Sequence, residues 1–577
     1  MPRADSRAPI AAGIALLAAL PFANAVRGGF TFDDVPIVAE NPRIRSLSTR
    51  LVTTDWWDGA RPESRLYRPL TMASFAVDYA IADGGAATAT PLRLPDRAAV
   101  PFHVQNVLWH AAAAVALFLL IAAVFDGVLL AAVTAALFAV HPVHTEAVDG
   151  IVGRAELMAA FFALATLRLA WGILRDDPPG FGRPLAAGAA LLAALLAKEH
   201  AITVPAVAMA WAWLLAPGEP RALLARRSVR RLLAALAVSA ALYLAARAAV
   251  VGSPPPVEAT PPGAVNVDNP VAGAHGAARL LTPVRAFGEA ARLLVVPLRL
   301  SADYSFDQVP VVAAPDATTA LCLLGLAGVA VSIVALRRRA PAVSCGLALF
   351  LITWLFTSNL FFTIGTILGE RLLYLPSAGV CLAAAALIVA LPGRRPAAIV
   401  AIALVAAGAG RTWARNRDWA SNLTLFASAT VTSPRSCKAA GGYASELYAR
   451  GRAQEALVWA ERALAIHPGY GEAHLAAAQI RRSLARDEKR PEAARALRER
   501  AREHARAARD AGDRELRARA LGVLGSLELD DGRWDEAEQA LRAGLALKPQ
   551  DAASAVGLGV VRATRARGVA APARRGT

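Results

Sequence analysis

The sequence predicts an all-α protein: a polytopic membrane bundle of about 11 helices followed by a C-terminal α-solenoid. Three observations carry this. Long apolar runs recur through the first 410 of the 577 residues and then stop, and 56% of the chain is hydrophobic. Short arginine-rich loops separate many of those runs. After residue 440, two stretches of similar pattern recur in a charged, amphipathic background.

A transmembrane helix needs about 20 mostly apolar residues. The candidate runs are 8–26, 104–125, 127–141, 157–174, 184–198, 200–216, 231–251, 317–336, 342–362, 372–391 and 396–412. Ala23-Asn24-Ala25 resembles a signal-peptide cleavage site, but the topology needs the first run as an uncleaved helix. Cytoplasmic loops collect arginine and lysine. With the N-terminus inside, beside Arg3 and Arg7, the inner loops carry Arg175 and Arg183; Arg221, Arg226, Arg227 and Arg230; Arg337 to Arg339; Arg394 and Arg395. The weakly apolar stretch 286–300 is then expected not to cross, in keeping with Arg292 and Arg299. The segments 27–103, 141–156, 198–200, 252–316 and 359–371 fall on the outer face, as does the C-terminal domain.

The formal charge of +17 belongs to this topology rather than to a nucleic-acid surface. Lysine occurs only at 198, 438, 489 and 548, while arginine and alanine abound. That usage is typical of a GC-rich bacterium, so a bacterial inner membrane is expected. Cys322, Cys345, Cys381 and Cys437 show no metal-ligand spacing and imply no disulfide framework.

The domains expected are a membrane domain 1–412, with a first outer loop at 27–103, a linker 413–435, a repeat domain 436–567 and a disordered tail 568–577. In the repeat domain, Gly451-Arg-Ala-Gln-Glu-Ala-Leu runs on to His467-Pro468, and Gly532-Arg-Trp-Asp-Glu-Ala-Glu runs on to Lys548-Pro549. Each joins a small turn to an amphipathic helix and a proline, which resembles the tetratricopeptide repeat of about 34 residues. Their offset of 81 positions is not a multiple of that period, so a lengthened repeat is expected through 481–510. The groove of such an array binds peptide or protein, or the array is a spacer.

Candidate chemistry lies at the ends of the apolar runs. Asp33 and Asp34 are adjacent acids just after the first run. Mutual repulsion raises a carboxylate pKa and suits a general base; a solvated turn is the plainer reading. His103, Asn106 and His110 share one helical face, fit for interhelical hydrogen bonding or a cavity. His141, His144 and Glu146 are metal-ligand types, but Pro142 interrupts their spacing and no third strong ligand is evident. With Arg154 and Glu156 they read better as a polar substrate pocket. Lys198 and Glu199, with His200, sit at a tight turn between apolar runs, where a compact ammonium acts as a point charge. Glu370, Arg371 and Tyr374 open the tenth run, where a helix N-terminus favours an anion such as phosphate; an interfacial anchor belt is the alternative.

In order along residues 30–430 stand FTFDDVPIVAENPRI, LYRPLTMASFAVDY, PFHVQNVLWHA, LFAVHPVHTEAVDGIVGRAELMA, LLAKEHAITV, DNPVA, LSADYSF, GERLLYLPSAG and RNRDWASNLTLFASAT. In these stretches the chain resembles the transmembrane and tetratricopeptide-repeat protein O-mannosyltransferases. The HPVHTEAV and GRAE block is the most specific element, and Glu156 departs from the aspartate usual there. The resemblance implies a C-type glycosyltransferase fold. It also implies transfer of a sugar, mannose in the relatives, from a polyprenyl-phosphate carrier to a protein Ser/Thr or other hydroxyl on the periplasmic face. The displacement would be inverting, with Asp33 or Asp34 as base. Arg371 and Lys198 would face the leaving phosphate, Arg154 and the histidines would assist, and Tyr374 would pack on the carrier. No cofactor and no metal are expected, and no nucleic acid. Two other classes compete. A non-catalytic scaffold would use only the repeats to recruit partners. A transporter would show midplane charges and inverted repeats, which the sequence lacks.

Overall fold

The computed structural model describes residues 7–57, 65–83, 93–176, 180–215, 220–252, 266–549 and 551–566. Arg3 and the tail expected at 568–577 lie outside the described residues. The described residues form helices, turns and loops, without a β-strand among them. They divide into two compact units: 1–302 with 311–425, and 303–310 with 426–577.

In the first unit every expected apolar run carries a helix. Among the described residues, six helical stretches are long and apolar enough to cross a bilayer: Asp96–Val124, Ile151–Asp176, Arg227–Val251, Ala317–Ala335, Glu370–Val389 and Arg394–Ala420. Val128–Ala139 and Pro142–Asp149 form a seventh candidate, a pair bent by 50°. The runs near 8–26, 184–198, 200–216 and 342–362 give shorter apolar helices, Arg7–Phe22, Gly182–Ala197, Glu199–Leu215 and Pro341–Thr357. By length and composition this is a multi-pass membrane protein. The weakly apolar stretch near 286–300 is instead the end of an amphipathic helix, Ala277–Val295, with Pro283 inside it.

The helices used below are α1 (Arg7–Phe22), α2 (Pro69–Asp83), α3 (Val100–Val124), α4 (Val128–Ala139), α5 (Arg154–Asp176), α6 (Gly182–Ala197), α7 (Val204–Leu215), α8 (Ala317–Ala335), α9 (Pro341–Thr357), α10 (Tyr374–Val389) and α11 (Arg394–Arg415). The long α3 is central and packs on α1, α4 and α5. Phe118, Leu120 and Ile121 on it are fully enclosed. By contrast α8 and α11 leave large apolar side chains bare, among them Leu321, Leu324, Ile399 and Ile402. Such a surface suits lipid rather than water. Between α9 and α10 the backbones approach closely: a Cβ on Gly346 would come within 2.5 Å of the Gly379 carbonyl oxygen. This is the small-residue contact by which membrane helices gain van der Waals packing.

The expected linker 413–435 is largely helical. α11 runs through Arg415, and Asn422–Thr432 is a further helix. Trp419 and Leu425 are buried there, and burying apolar surface gives the segment reason to fold.

In the second unit, α12 (Cys437–Ala449), α13 (Ala453–Ile466), α14 (Gly471–Asp487), α15 (Pro491–Ala511), α16 (Arg514–Asp530), α17 (Trp534–Leu547) and α18 (Ala552–Ala566) follow one another. Each packs on the next. The two similar stretches are structural equivalents. Gly451 and Gly532 both take positive φ, 76° and 70°. The following amides, of Arg452 and Arg533, reach back to the Leu447 and Glu528 carbonyls at 3.0 and 2.9 Å. This is the left-handed helix end that glycine tolerates best. Residues 303–310 join this unit through Phe306, whose carbonyl accepts from the Cys437 amide at 2.9 Å, and Asp307, which pairs with Arg435.

Candidate active site

Three breaks in the first unit's helices create the site. Pro142 supplies no amide hydrogen, and the chain leaves α4 through Pro142–His144 and a one-turn helix Thr145–Asp149. Lys198 is extended, φ −160° and ψ 137°, between α6 and the turn Glu199–Thr203 that leads into α7. Gly369 is extended before the turn Glu370–Leu373 that opens α10. Irregular backbone at helix ends is tolerated where protein encloses it or a cavity lies beside it. The side chains at these breaks meet.

Glu146 holds the opening of α10. One carboxylate oxygen accepts from the Arg371 amide at 2.8 Å and the other from Arg371 Nη1 at 2.5 Å. The second arm of Arg371 lies 3.7 Å from Asp33. That is an ion pair too long for a hydrogen bond. Arg371 and Asp33 side chains are 25% and 26% exposed, whereas Glu146 is 3% exposed. The site therefore has a buried anchor and two accessible groups.

Lys198 pairs with Glu156, whose other oxygen lies 3.6 Å from His200 Nδ1. Glu199 takes a two-pronged contact from Arg68, at 3.0 and 2.7 Å, and the Arg68 guanidinium lies over the Trp56 ring at 5.2 Å. Arg371 and Lys198 are within electrostatic reach of each other and of Glu156. Asp33, Glu146, Arg371, Glu156, Lys198, Glu199 and Arg68 thus form one network.

The neighbouring acids Asp33 and Asp34 have opposite environments. Phe32 adopts φ 50°, a left-handed conformation uncommon for a bulky residue, and its amide donates to Asn422 at 2.7 Å. After this turn Asp34 points inward and is fully buried. It accepts from the Val152 amide at 2.9 Å and the Thr31 amide at 3.2 Å. Burial pushes its carboxyl up to about 7, against the lowering effect of those backbone amides. Asp33 is left facing Arg371.

Other expected site residues lie deeper. Arg154 is fully buried and pairs with the equally buried Asp78. It also donates to Asn106 Oδ1 at 2.8 Å, the Phe102 carbonyl at 2.7 Å and Ser74 at 3.3 Å. These contacts tie α2, α3 and α5 together. Tyr374 donates to His110 Nδ1 at 2.7 Å, since His110 Nε2 faces the Ala139 carbonyl at 3.0 Å. His144 bonds Ser377 at 2.8 Å, and its ring meets the Tyr374 ring at a tilt of 53° with centroids 4.5 Å apart. His141 Nε2 donates to the Leu294 carbonyl at 3.0 Å, its Nδ1 being taken by the Val143 amide. Glu370 is buried and accepts from the Ser301 amide at 2.5 Å. Among the described residues no three His, Cys, Asp or Glu side chains are grouped to hold a metal ion. Sequence reasoning marks Arg68 only as part of the Leu66 to Thr71 stretch, without a role, and does not mark Asp78. Their signals were the LYRPLT and FAVDY stretches, where each is the charged residue in an apolar setting.

No family model matches the chain. Curated relatives do. Protein O-mannosyl-transferase TMTC3 of Homo sapiens is 30% identical over 453 residues, covering 72% of this chain and 47% of the relative. Protein O-mannosyl-transferase F38B6.6 of Caenorhabditis elegans is 27% identical over 438 residues, 73% of this chain and 57% of the relative. Protein O-mannosyl-transferase TMTC4 of Mus musculus is 28% identical over 483 residues, 74% and 62%. The chain is a distant relative of the TMTC-type protein O-mannosyltransferases. It spans about half the length of the first of the relatives it matches. Glu156 is the residue that reaches both Lys198 and His200.

Proposed function

We propose that the protein is a membrane glycosyltransferase. It moves a sugar, mannose by analogy with the relatives, from a polyprenyl-phosphate carrier to a Ser or Thr hydroxyl of a protein. The observation that carries this reading is the pairing of an accessible carboxylate, Asp33, with an accessible guanidinium, Arg371, whose other arm is anchored by buried Glu146. The kinship with named O-mannosyl-transferases supports the reaction class.

The acceptor oxygen attacks the anomeric carbon as the carbon–oxygen bond to phosphate breaks, inverting configuration. The hydroxyl proton passes to Asp33 and the electron pair leaves with the phosphate. The long Asp33–Arg371 contact suits this sequence of events. A phosphate can draw the free arm of Arg371 away and leave Asp33 to the acceptor. Lys198, held by Glu156, adds positive potential, and charge stabilisation of this kind is commonly a large catalytic term. Asp34, buried and engaged by backbone amides, positions the loop instead. The isoprenoid tail of the carrier lies between helices. The arginine distribution supports a cytoplasmic N-terminus and a site facing the periplasm of a bacterial inner membrane. The C-terminal helix pairs support a tetratricopeptide array.

The test is transfer from radiolabelled polyprenyl-phosphate mannose to Ser/Thr peptides and periplasmic protein by the purified full chain. Label on the acceptor that is lost with Asp33→Asn and kept with Asp34→Asn is the expected result. Folded protein that transfers no label from mannose-, glucose-, galactose- or arabinose-linked carriers would replace the enzyme by a scaffold.

A further inference from the structure

The second unit brings together two histidines from different helices. His474, on the first turn of α14, and His504, on α15, place their Nδ1 atoms 2.8 Å apart. The ring planes are inclined by 41° with centroids 5.1 Å apart, so the rings meet through their nitrogen edges and not face to face. Both side chains are half-buried. The two residues are 30 positions apart, a separation that no short motif marks.

The surroundings fix one tautomer. The Pro468 carbonyl lies 2.8 Å from His474 Nε2. A carbonyl only accepts, so Nε2 carries the hydrogen and Nδ1 of His474 keeps a lone pair. That lone pair points at His504. A backbone carbonyl holding the far N–H of an imidazole is the arrangement that orients a metal-binding histidine and raises its basicity.

The spacing selects the ion. An imidazole nitrogen sits about 2.0 Å from a borderline first-row ion, so two such bonds at a right angle put the nitrogens about 2.8 Å apart, whereas a tetrahedral angle needs about 3.3 Å. Right-angled nitrogen sites suit Cu(II) or Ni(II), and Cu(II) is the most tightly held of the series. Arg481 and Arg500 lie within electrostatic reach of His504 and oppose a cation. Arg481 is engaged by Glu461 at 2.7 Å, and Arg500 is exposed, where solvent screens it.

We propose that His474 and His504 bind a Cu(II) ion through their Nδ1 atoms. Water fills the remaining positions, since no third His, Cys, Asp or Glu is grouped there among the described residues. His474 binds as it stands, and His504 binds with its hydrogen on Nε2, so two neutral rings take up the ion without net release of a proton. The ion cross-links α14 to α15 and, through Pro468, steadies the turn between α13 and α14. It takes no part in the proposed sugar transfer, whose residues all belong to the first unit.

EPR spectroscopy of the full chain in detergent tests this, with one equivalent of Cu(II) and no polyhistidine tag. One tetragonal Cu(II) species per chain, with pulsed-EPR modulation from two imidazoles, is the expected result. His474→Gln and His504→Gln each weaken Cu(II) binding by about tenfold or more in titration calorimetry, the low end of what losing even an outer partner costs. His275→Ala, at an exposed histidine of the first unit, leaves the affinity unchanged. Cu(II) raises the thermal midpoint of the wild type and of neither glutamine variant. The wild-type spectrum decides the matter even where a variant folds poorly. A one-imidazole spectrum, no stoichiometric uptake, or wild-type affinity in both glutamine variants overturns the inference and leaves an imidazole–imidazole hydrogen bond. Displacement of Cu(II) by equimolar Zn(II) overturns the assignment to copper.

Discussion

Asp34 offers a test in which structure and catalysis give opposite answers. Its carboxyl is raised from 3.8 to about 7 because it is fully buried. A group that binds its proton more tightly in the folded state favours folding at low pH. Its contribution is fully present below the unfolded value and is lost as pH rises toward 7. A rise of about three pKa units corresponds to about 4 kcal/mol, at about 1.4 kcal/mol per unit. Asp34→Asn removes the titration. Its amide oxygen can still accept from Val152, but its NH2 faces the Thr31 amide, a donor against a donor, costing about 1–3 kcal/mol. The assay is thermal unfolding of purified protein in detergent from pH 4.5 to 8.5, for wild type and Asp34→Asn. The variant is less stable at pH 5 and narrows the gap, or passes wild type, near pH 8, because other titrating groups are common to both. Parallel curves would refute a buried, raised Asp34. Transfer measured on the same samples adds the catalytic half: Asp34→Asn keeps activity where it is folded, while folded Asp33→Asn loses about 10²–10⁴-fold in kcat.

Glu146→Gln leaves a hydrogen-bonding group but removes the charge that anchors Arg371; transfer falls roughly 10- to 100-fold, as loss of a charged hydrogen bond of about 1.5–3 kcal/mol implies, while Glu146→Asp recovers part of it in the steady-state assay. Asp78→Asn leaves Arg154 as a buried cation without its acid; a loss of about 3–5 kcal/mol lowers the midpoint of thermal unfolding, and Arg154→Lys does not restore it. Gly153→Ala drives a Cβ within 2.6 Å of Ala147 Cα and lowers both the yield and the thermal midpoint of the folded protein. Transfer is unchanged after EDTA, since the proposed reaction uses Arg371 and Lys198 for the phosphate; activity restored only by a divalent ion refutes that assignment.

The apolar runs were legible because a span's length and hydropathy are local properties, and Pro142, Lys198 and Gly369 announced the helix breaks. What the breaks bring together was not legible. Asp33 and Asp34 are equivalent in sequence, and their separation depends on Val152, 118 positions away from Asp34. Arg154 and Arg371 each lie one or two residues after a glycine at a helix opening. Arg154 is enclosed by Asp78, Asn106 and Phe102, whereas the Arg371 side chain stays partly exposed beside Asp33. Local patterns do not encode such long-range partners. The segment 303–310 carries no hydrophobic periodicity, so its membership of the C-terminal unit rests on contacts with Arg435, Ser436 and Cys437.

The charges of the network bear on the order of events. Arg371, Lys198 and Arg68 face Asp33, Glu146, Glu156 and Glu199, so the site carries one more acid than base before a ligand enters. A sugar phosphodiester adds one negative charge, and its departure as a phosphate monoester adds a second. In a poorly solvated site an uncompensated charge is expensive. In the proposed transfer, the proton taken by Asp33 removes one negative charge as the phosphate gains one, so the total is unchanged across the step. The same transfer weakens Asp33's hold on Arg371 when the phosphate most needs that arm. An Asp33–Arg371 contact that is close but not hydrogen-bonded is what this exchange requires. A tighter pair would withhold the guanidinium from the phosphate, and a more distant one would leave a charged base without a counter-ion before a ligand enters.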